Sequence, residues 1–494
     1  MVFSSTLFLF YFLPVALLLY YAAPRRLKHL TLTGLSYFFY GWANPLFVVL
    51  LFASTVVDYI CGLVIAGQHA RTGPKAFARG ETPSGEGVGE GSPEPSRTAR
   101  LALAASICSN LSLLGFFKYF NFAVENYDGL VAWVGLSGLQ LDVAFKVTLP
   151  LGISFYTFQS MSYTWDVYRR RAPAIWNFID FACYVSMFPQ LVAGPIIRFS
   201  EVADQLRSRT HTLTKFARGV AFFSVGLAKK VLLANPCGKI ADLAFDAGSL
   251  HALEAWYGVT AYAFQIYFDF SGYSDMAIGL GLMLGFVFPK NFDSPYLSKS
   301  ITEFWRRWHI SLSTWLRDYL YLPLGGNRKG PARTYVNLAV VMLLGGLWHG
   351  AAWNFVVWGA MHGAMLGLER ARGKAAMYDR LPSSLRMAAT FVFVLFTWVF
   401  FRASDLTSAV RYLGFMFGVG SPTEGAALLS GLVYQPYYLG TFMVSAAIVW
   451  TCPQTWDWTR RLTITRGVVT LLLFAATVVV LTTQAFNPFI YFIF

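Results

Sequence analysis

Residues 340–363 read VVMLLGGLWHGAAWNFVVWGAMHG, and this stretch decides the fold class. It forms the centre of an apolar segment, 334–369, with Arg333 before it and Arg370 after it. An apolar segment of this length can enter a bilayer, but basic residues at both ends favour the same, cytoplasmic side. The pattern therefore predicts a segment that enters the membrane and turns back.

The composition of the whole chain agrees with a membrane location. Hydrophobic residues make up 56% of the 494 residues and charged residues 13%, whereas a soluble chain carries roughly a quarter charged residues. We therefore predict an all-α polytopic membrane protein with about ten transmembrane helices plus re-entrant and amphipathic helices. The net charge of +14 lies mostly between apolar segments, as the positive-inside rule requires. Nucleic acid is not an expected partner, and membrane lipid is.

Basic loops in alternate positions set the predicted topology. Loops that begin at Arg25, Arg169 and Arg460 are assigned to the cytoplasm, which places both termini outside it. The Gly-, Pro-, Ser- and Glu-rich stretch 70–98 is predicted to be a disordered cytoplasmic insertion. The segments predicted to cross or enter the bilayer are 3–22, 30–43, 46–66, 101–123, 147–168, 177–197, a hairpin-like pair within 219–286, and 334–369, 388–402, 434–451 and 467–484.

A second informative stretch, ITEFWRRWHISLSTWLRDYLYLPLGG, begins at Ile301. Its apolar residues recur at helical spacing through Tyr319, so they predict one amphipathic helix at an interface or a hydrated entrance. His309 would project from the edge between its apolar and polar faces. Chemistry that joins a polar cytoplasmic substrate to a membrane-embedded acceptor would use such an edge, although an interfacial anchor with an incidental histidine fits as well.

His349 is the strongest candidate for chemistry. It lies near the middle of an apolar run, where an ionisable group is costly unless it faces a protein interior or a hydrated cavity. A neutral histidine that only bonds neighbouring helices is the alternative. His362 is a weaker candidate because it lies nearer the basic end. Asp269 and Asp275 do not share a helical face, so we expect each to bond backbone groups, and Gly279 to allow close helix packing.

No cluster with the spacing of metal ligands appears, and the five cysteines show neither zinc nor disulfide spacing. We therefore expect no metal site. No nucleophile elbow and no Gly-rich nucleotide loop is present either.

Seven strings distributed along the chain form a recognisable set. They are MVFSS at the start, ISFYTFQSMSYTWDVYR at 153–169, FPQLVAGPIIR at 188–198, QIYFDFSGYSDMAIG at 265–279, FWRRWHISLSTWLRDYLYLPLGG at 304–326, LWHGAAWNFVVWG at 347–359, and NPFIYFIF at the end. Together they resemble the membrane-bound O-acyltransferase (MBOAT) family, most closely its bacterial branch for alginate O-acetylation and teichoic acid D-alanyl transfer. The resemblance runs nearly end to end and implies a single membrane domain, 1–494, around a central tunnel.

The resemblance implies that His349 is catalytic and that His309 is the second catalytic position. The residues expected to bind substrate are Trp305, Arg306, Arg307, Trp308, Arg317, Trp348 and Asn354. Acetyl-CoA is the expected acyl donor, and no cofactor is expected to stay bound. The resemblance also implies a bacterial inner membrane location and an extracytoplasmic acetyltransferase partner in an exopolysaccharide or envelope-glycan system. A proton-coupled transporter or channel and a non-catalytic scaffold are the alternatives.

Overall fold

The computed structural model describes residues 2–72, 96–141, 143, 145–373, 376–419, 424–484 and 486–488. Every regular element within these residues is a helix, which confirms the all-α prediction. The predicted insertion at 70–98 falls mostly outside them. The described helices belong to two compact units.

The first unit comprises Leu7–Thr212 and Leu284–Phe288. Its α-helices are α1 (Leu13–Ala22), α2 (Lys28–Gly41), α3 (Pro45–Thr72), α4 (Arg97–Trp133), α5 (Ile153–Tyr168), α6 (Phe178–Ser186), α7 (Phe188–Leu191) and α8 (Phe199–Arg207). A π-helical stretch, Phe8–Phe12, leads into α1. The predicted entering segment 177–197 forms the short helices α6 and α7, neither of which is long enough to cross a bilayer.

The second unit comprises Val2–Thr6, Leu213–Met283 and Pro289–Phe494. Its α-helices are α9 (Leu213–Ala228), α10 (Asn235–Phe245), α11 (Ala252–Met283), α12 (Ile301–Arg307), α13 (Ile310–Leu316), α14 (Gly330–His349), α15 (Trp353–Ala371), α16 (Ser383–Arg402), α17 (Leu406–Met416), α18 (Glu424–Val433), α19 (Pro436–Thr451), α20 (Thr455–Trp458) and α21 (Ile464–Thr483). The predicted turn within 334–369 is confirmed, because α14 and α15 are antiparallel helices joined by residues 350–352.

Four described helices are long and apolar enough to cross a membrane: Pro45–Gly67, Arg97–Trp133, Ser383–Arg402 and Ile464–Thr483. Each coincides with a predicted span. The count of ten crossings stays a prediction.

The hairpin-like pair predicted within 219–286 is confirmed by α9 and α11, which cross at glycines. A Cβ atom on Gly219 would lie 2.6 Å from the carbonyl oxygen of Gly279, and one on Gly226 would lie 2.5 Å from that of Gly272. Larger side chains would separate the two helices at both points. The interpretation of Gly279 as a packing residue is therefore correct.

The prediction of one continuous helix from Ile301 to Tyr319 is wrong. The chain leaves helical geometry at Trp308 and His309, where His309 has a φ of 44°. Beyond α13 the chain continues as a π-helix, Arg317–Tyr321. The predicted projection of His309 from the edge of a single helix is therefore wrong as well.

Asp269 and Asp275, which were expected to bond backbone groups, both form ion pairs that the sequence did not indicate. Asp269 pairs with Lys230 at 2.7 Å, and Asp275 pairs with Lys229 at 2.7 Å. Buried carboxylates need a counter-charge more than a single hydrogen bond, and the two adjacent lysines of the neighbouring segment supply it.

Candidate active site

The hairpin of α14 and α15 is the frame of the site. A Cβ atom on Gly346 would lie 2.3 Å from the carbonyl oxygen of Phe355, and one on Gly359 would lie 2.4 Å from that of Met342. Only glycine lets the two backbones approach so closely. This crossing brings His349, the last residue of α14, against the first turns of α15.

His349 stands among aromatic rings. Its ring centroid lies 5.0 Å from that of Trp348, 5.2 Å from that of Trp358 and 5.2 Å from that of Phe401. The residue is 8% exposed, so it is enclosed but not sealed. It also lies at the carbonyl end of α14, where the helix dipole favours a positive charge.

A cavity of about 530 Å³ lies against this histidine. From Leu338 to His349 it follows one face of α14 for about 16 Å, and from Trp358 to Arg370 it follows α15 for about 18 Å, at 1.5 Å per residue. Because the helices are antiparallel, His349 and Arg370 mark opposite ends of it. The described lining residues are Thr302, Trp305, Arg306, Ile310, Leu312, Ser313, Thr314, Leu316, Arg317, Tyr321, Asn327, Leu338, Val341, Met342, Gly345, His349, Trp358, Leu366 and Arg370.

His309 lies beside the cavity rather than on its wall. Its ring centroid is 6.5 Å from that of His349, and the residue is fully buried. The N–H of Ile310 donates to the carbonyl of Asn291 at 2.9 Å, which anchors the chain immediately after the break between α12 and α13. The unusual backbone at His309 thus turns its ring toward His349.

Hydrogen bonds define the tautomer of His309. The side-chain oxygen of Asn291 accepts from the N–H and the hydroxyl of Ser311 at 3.2 and 2.8 Å. The same oxygen lies 3.3 Å from Nδ1 of His309, so Nδ1 carries the proton and donates. Within the described part of the chain, Nε2 of His309 has no hydrogen-bond partner. His309 therefore presents an unused lone pair in a buried position.

The protonation state of His309 follows from its burial. It lies outside the four candidate spans, and burial lowers the pKa of its imidazole from 6.5 to about 3. The ring is therefore neutral at neutral pH, with its Nε2 lone pair free to accept a hydrogen bond or a proton.

Two contacts fix α12 against the hairpin. The carboxylate of Glu369, which is fully buried, accepts from the N–H groups of Ile301 and Thr302 at 2.7 and 2.8 Å. These are N–H groups of the first turn of α12, which have no partner within the helix. Glu369 thereby holds the start of α12 beside the end of α15.

His362 provides the second contact. The indole N–H of Trp305 donates to Nδ1 of His362 at 3.3 Å, and Nε2 of His362 lies 3.2 Å from the hydroxyl of Thr397. Because indole can only donate, Nδ1 must be unprotonated, and the proton on Nε2 points to Thr397. The hydroxyl of Thr397 in turn donates to the carbonyl of Val394 at 2.8 Å. Both nitrogens of His362 are therefore used in orienting Trp305.

The structure brings some of the predicted binding residues to the cavity. Trp305, Arg306 and Arg317 line it, and the side chain of Arg317 is 60% exposed. Arg307 does not line it, because its guanidinium pairs with Glu303 at 2.8 Å. Arg370 also lines the cavity. From the sequence it is identified only as the basic residue that follows the apolar segment 334–369.

Three other predicted binding residues do not line the cavity and instead pack around it. Trp308 is buried with its ring stacked on that of Phe304, 5.5 Å between centroids. Trp348 lies next to His349 and faces the ring of His309 at 6.0 Å. Asn354 donates to the carbonyls of Phe400 and Ala403 at 3.1 and 2.7 Å, which ties the start of α15 to the end of α16.

Across the described ranges, no three His, Cys, Asp or Glu side chains are grouped closely enough to hold a metal ion. The cavity wall consists instead of aromatic, apolar, hydroxyl and guanidinium groups. Such a wall suits an organic ligand with an anionic end.

Comparison with known proteins identifies the family. The family model for MBOAT, the membrane-bound O-acyltransferase family, matches residues 96–410 of this chain. The chain belongs to this family. The matched range contains His349, His309 and the residues described as lining the cavity. Membership of this family identifies the chain as an acyltransferase rather than a transporter or a scaffold.

Relatives of this MBOAT chain include proteins with three stated activities. It is 43% identical to "Probable alginate O-acetylase AlgI" of Pseudomonas putida, over the full length of both chains. It is 39% identical to the peptidoglycan O-acetyltransferase of Helicobacter pylori, over 85% of this chain and 80% of that one. It is 30% identical to the teichoic acid D-alanyltransferase of Streptococcus thermophilus, over 48% of this chain and 61% of that one.

Proposed function

We propose that this MBOAT chain is an O-acetyltransferase of the bacterial inner membrane that takes acetyl groups from cytoplasmic acetyl-CoA for O-acetylation of an exopolysaccharide or cell-envelope glycan. The observation that carries the proposal is the position of His349 at one end of an elongated cavity whose other end carries Arg370, with Arg306 and Arg317 also on its wall. The activities named for the two relatives that align over most of this chain, alginate O-acetylation and peptidoglycan O-acetylation, support acetyl as the transferred group and a glycan hydroxyl as the acceptor.

The shape and charge of the cavity support a thioester donor. Arg306 and Arg370 attract phosphate groups, and guanidinium groups bind phosphate in a bidentate manner. Arg317 adds less positive charge, because it pairs with Asp318 at 2.7 Å. The apolar wall between Leu338 and His349 suits the uncharged arm of coenzyme A. The thioester carbonyl would then reach the histidine while the nucleotide stays in water.

In the proposed reaction, the oxygen of an acceptor hydroxyl attacks the carbonyl carbon of the thioester. The imidazole of His349 takes the hydroxyl proton as the new C–O bond forms, and the C–S bond breaks as the tetrahedral intermediate collapses. The proton passes to the leaving sulfur, so acetyl ester and free coenzyme A are the products. The carbonyl end of α14 stabilises the transient positive charge on His349.

His309 has a supporting function in this scheme. Its Nε2 would accept a hydrogen bond from the acceptor hydroxyl or relay its proton to His349, whose ring centroid lies 6.5 Å from that of His309. General-base assistance of this kind contributes typically about 10²–10⁴-fold.

The proposal includes a topology and a partner. Both termini would lie outside the cytoplasm, with the arginine end of the cavity on the cytoplasmic side, as the basic loops favour. An extracytoplasmic acetyltransferase of the same envelope system would receive the acetyl group.

The test is release of free coenzyme A from acetyl-CoA by purified protein in lipid nanodiscs, with alginate oligosaccharide or peptidoglycan fragments as acceptors, both alone and together with the extracytoplasmic acetyltransferase. We expect His349→Ala to lower the rate by about 10²–10⁴-fold. His251→Ala is the matched control, because His251 is exposed and distant in sequence from the cavity residues. Turnover that survives in folded His349→Ala protein would overturn the mechanism. Acceptor-independent activity would overturn the glycan assignment.

A further inference from the structure

A second large cavity lies in the same unit, away from His349. It is a groove of about 660 Å³ bounded by the end of α9, the π-helix Lys229–Ala234, α19, α20 and α21. We call it the α19–α21 groove. It shares no lining residue with the cavity at His349. The residues used below are Leu232, Tyr437, Gly440, Val444, Ile448 and Leu473.

The helices around the groove expose apolar side chains. α21 is one of the four candidate spans, and only 17% of its most apolar window is buried. Leu472 on α21 is 64% exposed and Met443 on α19 is 65% exposed. Apolar surfaces of this extent on a membrane protein contact lipid chains rather than water.

The length of the groove suits a lipid chain. From Tyr437 to Cys452 it follows α19 for about 22 Å, at 1.5 Å per residue, which exceeds one leaflet of a hydrocarbon core about 30 Å thick. Among the described lining residues only Lys229 is charged, and Asp275 neutralises it at 2.7 Å. Thr455 also donates to Asp275, at 2.6 Å. The interior of the groove is therefore apolar.

One end of the groove carries positive charge. Trp458 lines this end, and the guanidinium of Arg466 lies 6.0 Å from its ring centroid. Arg466 donates to the carbonyls of Trp458 and Arg461 at 2.7 and 2.9 Å, which fixes the segment that carries the exposed Arg460 and Arg461. The acidic neighbour in this segment, Asp457, has a partner in Lys290 at 3.2 Å.

We propose that the α19–α21 groove binds an anionic phospholipid, with an acyl chain between α19 and α21 and the phosphodiester at Arg460 and Arg461. Basic groups beside membrane helices recognise such headgroups, and tryptophan is favoured at the depth where headgroup and chain meet. An uncharged lipid would satisfy the apolar groove but not the arginines. A soluble phosphate would satisfy the arginines but not the groove.

Two variants test the two halves of this site separately. Gly440→Trp fills the groove, because a Cβ atom on Gly440 meets open space. Arg460→Gln with Arg461→Gln removes the charge and keeps the groove. The matched controls are Gly115→Trp, whose Cβ also meets open space, and Arg380→Gln with Arg411→Gln, which removes two exposed arginines elsewhere.

The measurement is the number and retention of bound phosphatidylglycerol by native mass spectrometry, in competition with phosphatidylcholine and with soluble glycerophosphoglycerol. We expect one retained phosphatidylglycerol on the wild type and on both controls. The double arginine variant should bind it about thirty-fold more weakly, at about a factor of five for each cation, and Gly440→Trp should lose the retained lipid.

Other outcomes overturn the proposal. Equal retention of phosphatidylcholine, which is zwitterionic with no net charge, would mean that the groove does not select an anionic lipid. Displacement by glycerophosphoglycerol, or loss in the arginine variant alone, would mean that the arginines bind phosphate without the groove. Retention in both variants would place the lipid elsewhere on the protein.

Discussion

Substitution of Gly346 by Ala tests whether the helix crossing positions the catalytic histidine. The new methyl group would lie 2.3 Å from the carbonyl oxygen of Phe355, about 1 Å closer than the 3.4 Å at which ordinary contact begins. That oxygen belongs to the backbone, so α14 and α15 must separate by about this distance. A misplacement of about 1 Å can lower a rate by about 10²-fold, and overpacking costs about 1–3 kcal/mol of stability.

The assay is single-turnover release of coenzyme A, together with the melting temperature of the detergent-solubilised protein. Gly367→Ala is the control, because Gly367 lies on α15, the other helix of the hairpin, and its Cβ would lie 3.7 Å from the ring of Tyr335, an ordinary contact. We expect wild-type turnover from the control and about 10²-fold less from Gly346→Ala. Undiminished turnover in Gly346→Ala would refute the claim that this crossing sets the position of His349.

Three further substitutions have distinct expected results. His309→Gln should lower kcat by about 10²-fold. It should also reduce the loss of folding stability as the pH falls below 6.5. In that range His309 of the unfolded chain binds a proton, whereas the buried His309, with a pKa of about 3, stays neutral. Chemical denaturation at several pH values checks this, and an unchanged pH dependence would contradict it. His362→Phe leaves the indole N–H of Trp305 without an acceptor and should raise KM for the donor about tenfold, with a smaller change in kcat. Equal changes in KM and kcat would argue against the role of His362 in positioning Trp305. Asn354→Ala should lower the free energy of unfolding by about 1–3 kcal/mol, and wild-type stability would show that its two carbonyl contacts are dispensable.

Patterns that depend on local composition could be predicted from the sequence. The basic residues on both sides of 334–369 and of 219–286 predict helical hairpins, and both hairpins are present. The depth of His349 in an apolar run likewise indicates an enclosed position, and the residue lies on a cavity. In each case the signal and the structure involve the same short stretch of chain.

Features that depend on distant residues could not be predicted in this way. The apolar spacing from Ile301 to Tyr319 contains no sign of a break, because the turn at His309 is fixed by Asn291, on a separate segment. The buried carboxylate of Glu369 looks like an ordinary helix-end acid until α12 is placed against it. The use of both nitrogens of His362 likewise requires knowing that Trp305 and Thr397 flank it.

The two walls of the cavity come from different parts of the chain. The imidazole of His349 is carried by the hairpin, whereas Trp305 and Arg306 are carried by α12, which is fastened to that hairpin through Glu369 and His362. A substitution on the exposed side of α12 can therefore widen or narrow the cavity without moving the imidazole of His349. We expect such a substitution to change the size of the acyl group that is accepted more than the rate of the chemical step.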